Sequence, residues 1–309
     1  MKRILFVVPL LVCCLSLGLQ TAQATEGASS HYFPGSSTTF AVAVPPNPGF
    51  MMASQMLYYN GKAKVAVLRG YVHLDLKVEA FYDYVGSFYT FEKPVLGSRL
   101  QIGAVVPVGH TAVRANAGTP YHAINASDSK TDIGDSMISA ALYWGKGNFH
   151  YKLVESIFVP TGGYTAGNLA NVGRNYWSFD TSLAMTWLNA KTGTEISVTP
   201  GIMFNKMNTA TNYKSGNEFH IDFAANQFLT PNLAVGLHGY YYRQVSVDSG
   251  SGAVLGSFKG ESSGIGPALL WIPTAGKGNL SVAAKWLHDL DQKNLMHGDY
   301  GQLTVGYKF

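Results

Sequence analysis

The sequence predicts an all-β fold: a transmembrane antiparallel β-barrel of about 12 strands, with short periplasmic turns and long extracellular loops. Three observations lead there. Apolar residues recur with a period of two along most of the chain, down to an aromatic C-terminus. Charged residues are 13% of the chain, against about 25% in soluble domains. Beyond the N-terminal segment no apolar run approaches the roughly 18 residues that a membrane helix needs, and only helices and closed barrels satisfy every backbone group in a bilayer.

In chain order, the first element is an export signal. Lys2 and Arg3 precede an apolar stretch from Ile4 to Leu19, and Ala22 and Ala24 are the small residues that a signal peptidase reads. Residues 1–24 are therefore expected to be a secretory signal peptide. Both cysteines, Cys13 and Cys14, lie in it, preceded by Leu11 and Val12 rather than by the small residue of a lipoprotein signal. The chain from Thr25 onward has no cysteine and cannot rest on disulfides. Losing Lys2 and Arg3 takes the formal charge from +4 to about +2, which is no basis for a nucleic-acid partner, and none is expected.

Residues 25–49 are rich in Pro and Gly and carry no regular pattern. Yet Tyr32, Phe33, Phe40, Val42 and Val44 are too apolar for a free tail. The segment is expected to pack into the periplasmic half of the lumen and narrow it, leaving 50–309 as the barrel.

The first strands are read at 50–60, 70–91 and 98–109. In the second, Val72, Leu74, Leu76, Val78 and Ala80 alternate with His73, Asp75, Lys77 and Glu79. Strands at 133–145, 149–161 and 176–188 follow. The run 149–161 has no clean face. Turning Tyr151, Leu153, Ile157 and Val159 to lipid also exposes Glu155 in mid-strand, at a cost of up to about 2–4 kcal/mol. The opposite register places Lys152 near the interface, where the cost falls to roughly 0–1 kcal/mol, and is preferred; it turns Glu155 inward. The remaining strands fall at 193–206, 217–229, 233–245, 263–273, 279–288 and 299–309. In 217–229, Phe219, Ile221, Phe223 and Ala225 alternate with Glu218, His220, Asp222 and Asn226. In the last, Leu303, Val305, Tyr307 and Phe309 share a face; Tyr307 and Phe309 read as the C-terminal assembly signal, with the barrel assembly machinery as partner.

Connections alternate between short (92–97, 145–148, 189–192, 229–232, 273–278) and long (61–69, 110–132, 161–175, 206–216, 246–262, 288–298). Bacterial barrels alternate in this way between their two rims. Trp144, Trp187 and Trp271 sit just before short turns, and Trp177 and Trp286 near long loops, which gives two aromatic girdles. Pro107, Pro160, Pro200 and Pro267 fall within predicted strands. They mark local bulges near a rim, or, on a sharper reading, a kinked wall with a lateral exit for apolar cargo.

At Pro160, Thr161, Gly162, Gly163 and Tyr164, followed by Gly173, Arg174, Asn175, Tyr176 and Trp177, the chain resembles outer-membrane proteins named for a MetA pathway of phenol degradation, the SphA-like channels. His31 to Gly35, Pro45 to Gly49, Asn208 to Gly216 and Gly236 to Tyr240 carry further likeness. The resemblance covers nearly the whole exported chain. It implies a twelve-stranded outer-membrane channel for small organic solutes, often aromatic or hydrophobic. Gly163 departs from the family pattern, in which an acidic residue precedes the tyrosine.

A channel sorts solutes by what lines its lumen. Arg174, Asp180, Glu155, Glu218, His220, Asp222, His238, Tyr240, Tyr242 and Gln244 are the candidate lining and constriction residues. Near-zero net charge argues against a highly charged solute, and the tyrosines and histidines suit aromatic rings bearing polar groups. A general diffusion porin is the alternative; an outer-membrane hydrolase and a structural barrel rank lower. Glu218, His220 and Asp222 share a face, but same-face neighbours on a strand lie about 7 Å apart, too far for a catalytic relay. No Gly-x-Ser-x-Gly sequence occurs. No metal or cofactor is expected: no cysteine follows the signal and the nine His are scattered.

Overall fold

A computed structural model describes residues 26–68, 71–119, 122–254 and 259–309; the expected signal peptide, 1–24, lies outside them. The strands are β1 (Gly49–Leu68), β2 (Tyr71–Thr90), β3 (Arg99–Thr119), β4 (His122–Ile133), β5 (Ser136–Lys146), β6 (Phe149–Val159), β7 (Ser178–Asn189), β8 (Thr194–Asn205), β9 (Glu218–Thr230), β10 (Leu233–Gln244), β11 (Glu261–Trp271), β12 (Leu280–Lys293) and β13 (His297–Lys308). All but β4 close into one antiparallel ring of twelve. Each pairs with its neighbour, β3 reaches past β4 to β5, and β13 returns to β1. At the closure, Phe309 N–H donates to the Phe50 carbonyl (2.9 Å), and the Phe309 ring packs against Phe50 and Tyr307.

The outward residues of β1 show why the ring sits in lipid. Phe50, Met52, Met56 and Tyr58 are exposed, whereas Leu57 and Tyr59 between and beyond them are buried inside. From Phe50 to Tyr58 the strand rises about 26 Å, or about 20 Å along the normal at the usual tilt, close to the roughly 25 Å apolar band of such barrels. Phe50 pairs with Tyr89 at one rim of this band. At the other, Phe81, Tyr58, Gly301 and Trp286 follow one another across β2, β1, β13 and β12. Trp286 thus belongs to the girdle although β12 continues to Lys293.

Several expectations change. The segments 61–69 and 288–298, read as long connections, are largely strand, since β1 runs to Leu68, β12 to Lys293 and β13 from His297. The segment 110–132, read as a loop, forms the outer half of β3 and most of β4. Alternation persists there: Val113 and Ala115 are buried against Ala63, Leu76, Leu169 and Ala170, so the wall continues past the girdle. Glu155 faces outward, not into the lumen. It shares a face with the exposed Ala140 and Thr181, and the Thr181 hydroxyl donates to it (2.5 Å). The inner face carries Lys152, set over the Tyr143 ring (5.4 Å), and Phe158. These inward contacts decide the register against the cost of one lipid-facing carboxylate.

The four prolines sit where pairing is incomplete. Pro107 pairs with Tyr84 on one side, at the point where β3 changes partner from β5 to β4. Pro160 lies just past the end of β6. Pro200 pairs with Ile221 and Pro267 with Leu237, but the ladder to the other neighbour skips both.

Leu153 lies near the middle of the outward band of β6. Leu153→Arg should destabilise the barrel by about 2–4 kcal/mol, read as a lower urea midpoint for unfolding from lipid vesicles; an unchanged midpoint would remove Leu153 from the lipid face.

Candidate functional site

Residues 26–48 run through the lumen without strand structure. A coil in that position has backbone groups with no ladder to join, and the wall supplies them. Lys285 Nζ donates to the carbonyls of Gly35 and Thr38, the second at 2.9 Å. Asp222 accepts from Tyr32 Oη and from Ser37 N–H (2.7 Å). Ala43 N–H donates to Thr186 Oγ1 (3.2 Å), and Thr38 bonds Thr199 (3.1 Å). The Tyr32 ring stacks on His220 at 3.9 Å between centroids. Nearer the long connections, the Ser30 hydroxyl donates to Glu218 and Glu26 N–H donates to Ser215 Oγ (3.2 Å). The expectation held this segment in the periplasmic half; its contacts extend to the opposite rim.

Most of the polar residues singled out on β7 to β10 therefore face the segment. His220 also bonds Asp180 (2.8 Å), which accepts from Ser182 (3.0 Å). His238 bonds Asn226 (2.9 Å) and lies beside Phe40. Tyr240 is tied to Asp289, Ser262 and Tyr300. The Tyr242 ring lies parallel to Tyr32 at 6.0 Å. Gln244 binds Asp248 (2.5 Å) and so anchors the following loop.

The residue that gathers most at the long-connection rim is Asp135, which sequence reasoning passed over. With Gly134 it interrupts the wall between β4 and β5. Its carboxylate accepts from Gly162 N–H (2.9 Å), Arg174 N–H (2.6 Å) and His31 Nε2 (2.9 Å). Arg174 also donates through Nη1 to Ser29 (2.5 Å). Gly163 N–H donates to Ile133 O, and Gly134 N–H to Pro107 O. Three backbones meet here: a Cβ on Gly162 would lie 2.6 Å from Gly173 Cα and 2.7 Å from Gly134 C. The space a side chain at Gly163 would take is filled by the Asp132 carboxylate. Burial pulls the His31 imidazole below its usual range, with Asp135 pulling less strongly upward. Burial would raise the Asp135 carboxyl, but hydrogen bonds from His31, Arg174 and Gly162 outweigh it and hold it below the usual carboxylate range.

Beside the segment, on the β1–β3 side, lies a cavity of about 230 Å³. Leu76, Val78, Ala80, Tyr82, Tyr84 and Phe158 form its apolar wall, and Pro107, Gly134, Asp135 and Arg174 lie along its margin. Arg174 and Tyr242 of the sequence candidates also line it, but the six residues of the apolar wall were not among them. The aromatic run Phe81 to Tyr84 was the available signal, but period two alone does not tell a filled lumen side from an open one. Among the described residues no group of three His, Cys, Asp or Glu is arranged to hold a metal.

A closed twelve-membered ring with an apolar outer band, two girdles and an occupied lumen defines a bacterial outer-membrane β-barrel. A family model described as "Putative MetA-pathway of phenol degradation" matches residues 59–305, and the chain belongs to that family. Among solved structures, the fold is similar to the COG4313 outer membrane channel from Pseudomonas putida F1 (TM-score 0.69, 13% identity, 86% of this chain and 97% of that one). It is also similar to the β domain of the Bordetella autotransporter BrkA (TM-score 0.52, 10% identity, 85% and 100%). No curated protein matches the sequence.

The two lowered groups set a pH dependence. Each favours the docked state at high pH: His31 above its ordinary 6.5 and Asp135 above 3.8, with the contribution lost as pH falls through the lowered folded values. Hydrogen exchange over 29–38, corrected for intrinsic rate, should therefore accelerate from pH 7 to 5. In His31→Gln that acceleration should vanish; if it persists, His31 is not its source.

Proposed function

We propose that the protein is a passive channel for uptake of small organic molecules, aromatic or otherwise hydrophobic, entering from the long-connection end. The observation that carries this reading is the cavity. Its aromatic and aliphatic wall offers rings a dry surface and its margin offers a few polar groups, the usual composition of a small-molecule site. A cavity of about 150 Å³ holds benzene, so about 230 Å³ suits one substituted ring. The family description, phenol degradation, points to the same chemistry, and the Pseudomonas putida protein of similar fold is an outer membrane channel. The reading is not enzymatic: the buried His220–Asp180 pair holds the N-terminal segment through Tyr32 rather than facing open space.

Because the segment fills the lumen below, a solute leaves either by moving it or sideways. The interrupted ladder supports the sideways route. Pro107 and Gly134 line the cavity on one side, and Val106 and Val108 beside Pro107 face lipid. Among the described residues, the Gly134–Pro107 backbone bond alone spans the change of partner there.

Liposome uptake tests both parts. Phenols and benzoates should enter at least about tenfold faster than sugars of similar size; equal rates would favour a general diffusion porin instead. Ala80→Phe should fill the cavity and cut uptake of rings several-fold in a folded barrel. Arg174→Ala should change single-channel conductance or ion selectivity. The pair Pro107→Cys and Gly134→Cys brings Cβ atoms to about 3.2 Å, near the span of a disulfide. Oxidation should slow uptake of apolar rings and reduction restore it. Insensitivity to oxidation would remove the side exit and leave the cavity standing.

A further inference from the structure

Outside the lumen, the register of β13, β1, β2 and β3 sets four basic side chains in one line. Lys62 pairs directly with His297 and with Lys77, and Lys77 pairs with Arg114. All four are exposed, while Ala63, Leu76, Val113 and Ala115 beside them in the chain are buried on the inner face. The line therefore lies on the outer surface of the wall. Tyr58 and Phe81 of the girdle are four residues nearer the membrane on the same face. That is about 13 Å along the strand and about 10 Å along the normal, within reach of snorkelling Lys and Arg heads at the headgroup level.

Like charges directly opposed across strands destabilise a sheet. Here Lys62, Lys77 and Arg114 oppose one another over two successive pairs. Among the described residues no carboxylate lies within 4.0 Å of any of them. The nearby acids are otherwise placed. Glu79 and Asp299 lie one row closer to the membrane, on either side of Asn60, and Asp299 is bonded to His288 (2.8 Å). Asp75 sits in the irregular stretch of β2 between Leu74 and Lys77. An anion laid across the strands relieves the repulsion. Three interstrand steps make the row about 14 Å wide, room for more than one phosphate of a single headgroup. Arg114 brings a planar fork for phosphate oxygens, and the lysines bring point charges.

We propose that Lys62, Lys77 and Arg114, flanked by His297, form a docking row for the phosphates of lipid headgroups in the leaflet at the long-connection end. The row fastens the β1–β3 wall, the wall that carries the cavity, to the membrane around it.

The test uses the full chain in detergent micelles, followed by native mass spectrometry. It is titrated with bis-phosphorylated lipid A, with its dephosphorylated form and with inorganic phosphate. The phosphorylated lipid should bind, and Lys62→Gln, Lys77→Gln, Arg114→Gln together should weaken it by about 100-fold, roughly fivefold for each cation near an anionic lipid surface. Removing three cations at the short-turn rim instead (Lys93→Gln, Lys146→Gln, Lys277→Gln) should change binding by less than about twofold. Lys62→Arg with Lys77→Arg should bind as the original does. Should the triple variant not fold, as judged by heat-modifiable gel migration, Arg114→Gln alone should still show about a fivefold loss. Unchanged binding in the row variants, equal binding of the dephosphorylated lipid, or an equal loss at the other rim would each overturn the proposal. Displacement of the lipid by inorganic phosphate in the same concentration range would replace it with a free-phosphate site.

Discussion

A backbone amide left unpaired in hydrocarbon costs several kcal/mol, and the arrangement of this molecule follows from avoiding that cost. Twelve strands pair around a closed ring, so no edge faces lipid. Where the ring is hardest to close, at the switch of β3 from β5 to β4, side chain and loop take over from the ladder. Asp135 accepts two loop amides, and Gly134, Gly162 and Gly173 let three backbones approach more closely than any Cβ would allow. The Gly-rich loop motif after Pro160 is thus part of the wall.

The same constraint acts inside. A coil threaded through a lumen brings amides and carbonyls that need partners, and the walls of β7 to β9 and β12 provide them through Thr186, Thr199, Asp222 and Lys285. The polar half of the lumen is consumed in holding the segment. The aromatic half, formed by β1 to β3, keeps open space. This division separates the polar residues that hold the segment from the apolar residues that line the cavity. Asp135 stands where the two halves and the wall meet, touching the segment at His31 and the loop at Gly162 and Arg174.

What the sequence determined by itself is everything that depends on local period and on partition between lipid and water. Alternation on 70–91 and 217–229, the contrast of short and long connections, and Trp at strand ends specify a membrane barrel, because each strand must present one face to lipid whatever its neighbours are. Tertiary structure alone decided what the other face meets. Glu218, His220 and Asp222 read as lumen wall, yet whether such residues face water or a docked chain depends on where residues 26–48 lie, and no period records that. Glu155 shows the limit within one strand: neither register of 149–161 gives a clean apolar face, and the contacts of Lys152, Phe158 and Thr181 with separate strands choose between them. Lys62, Lys77 and Arg114 are far apart in the chain, and only the pairing of β1, β2 and β3 brings them into one row.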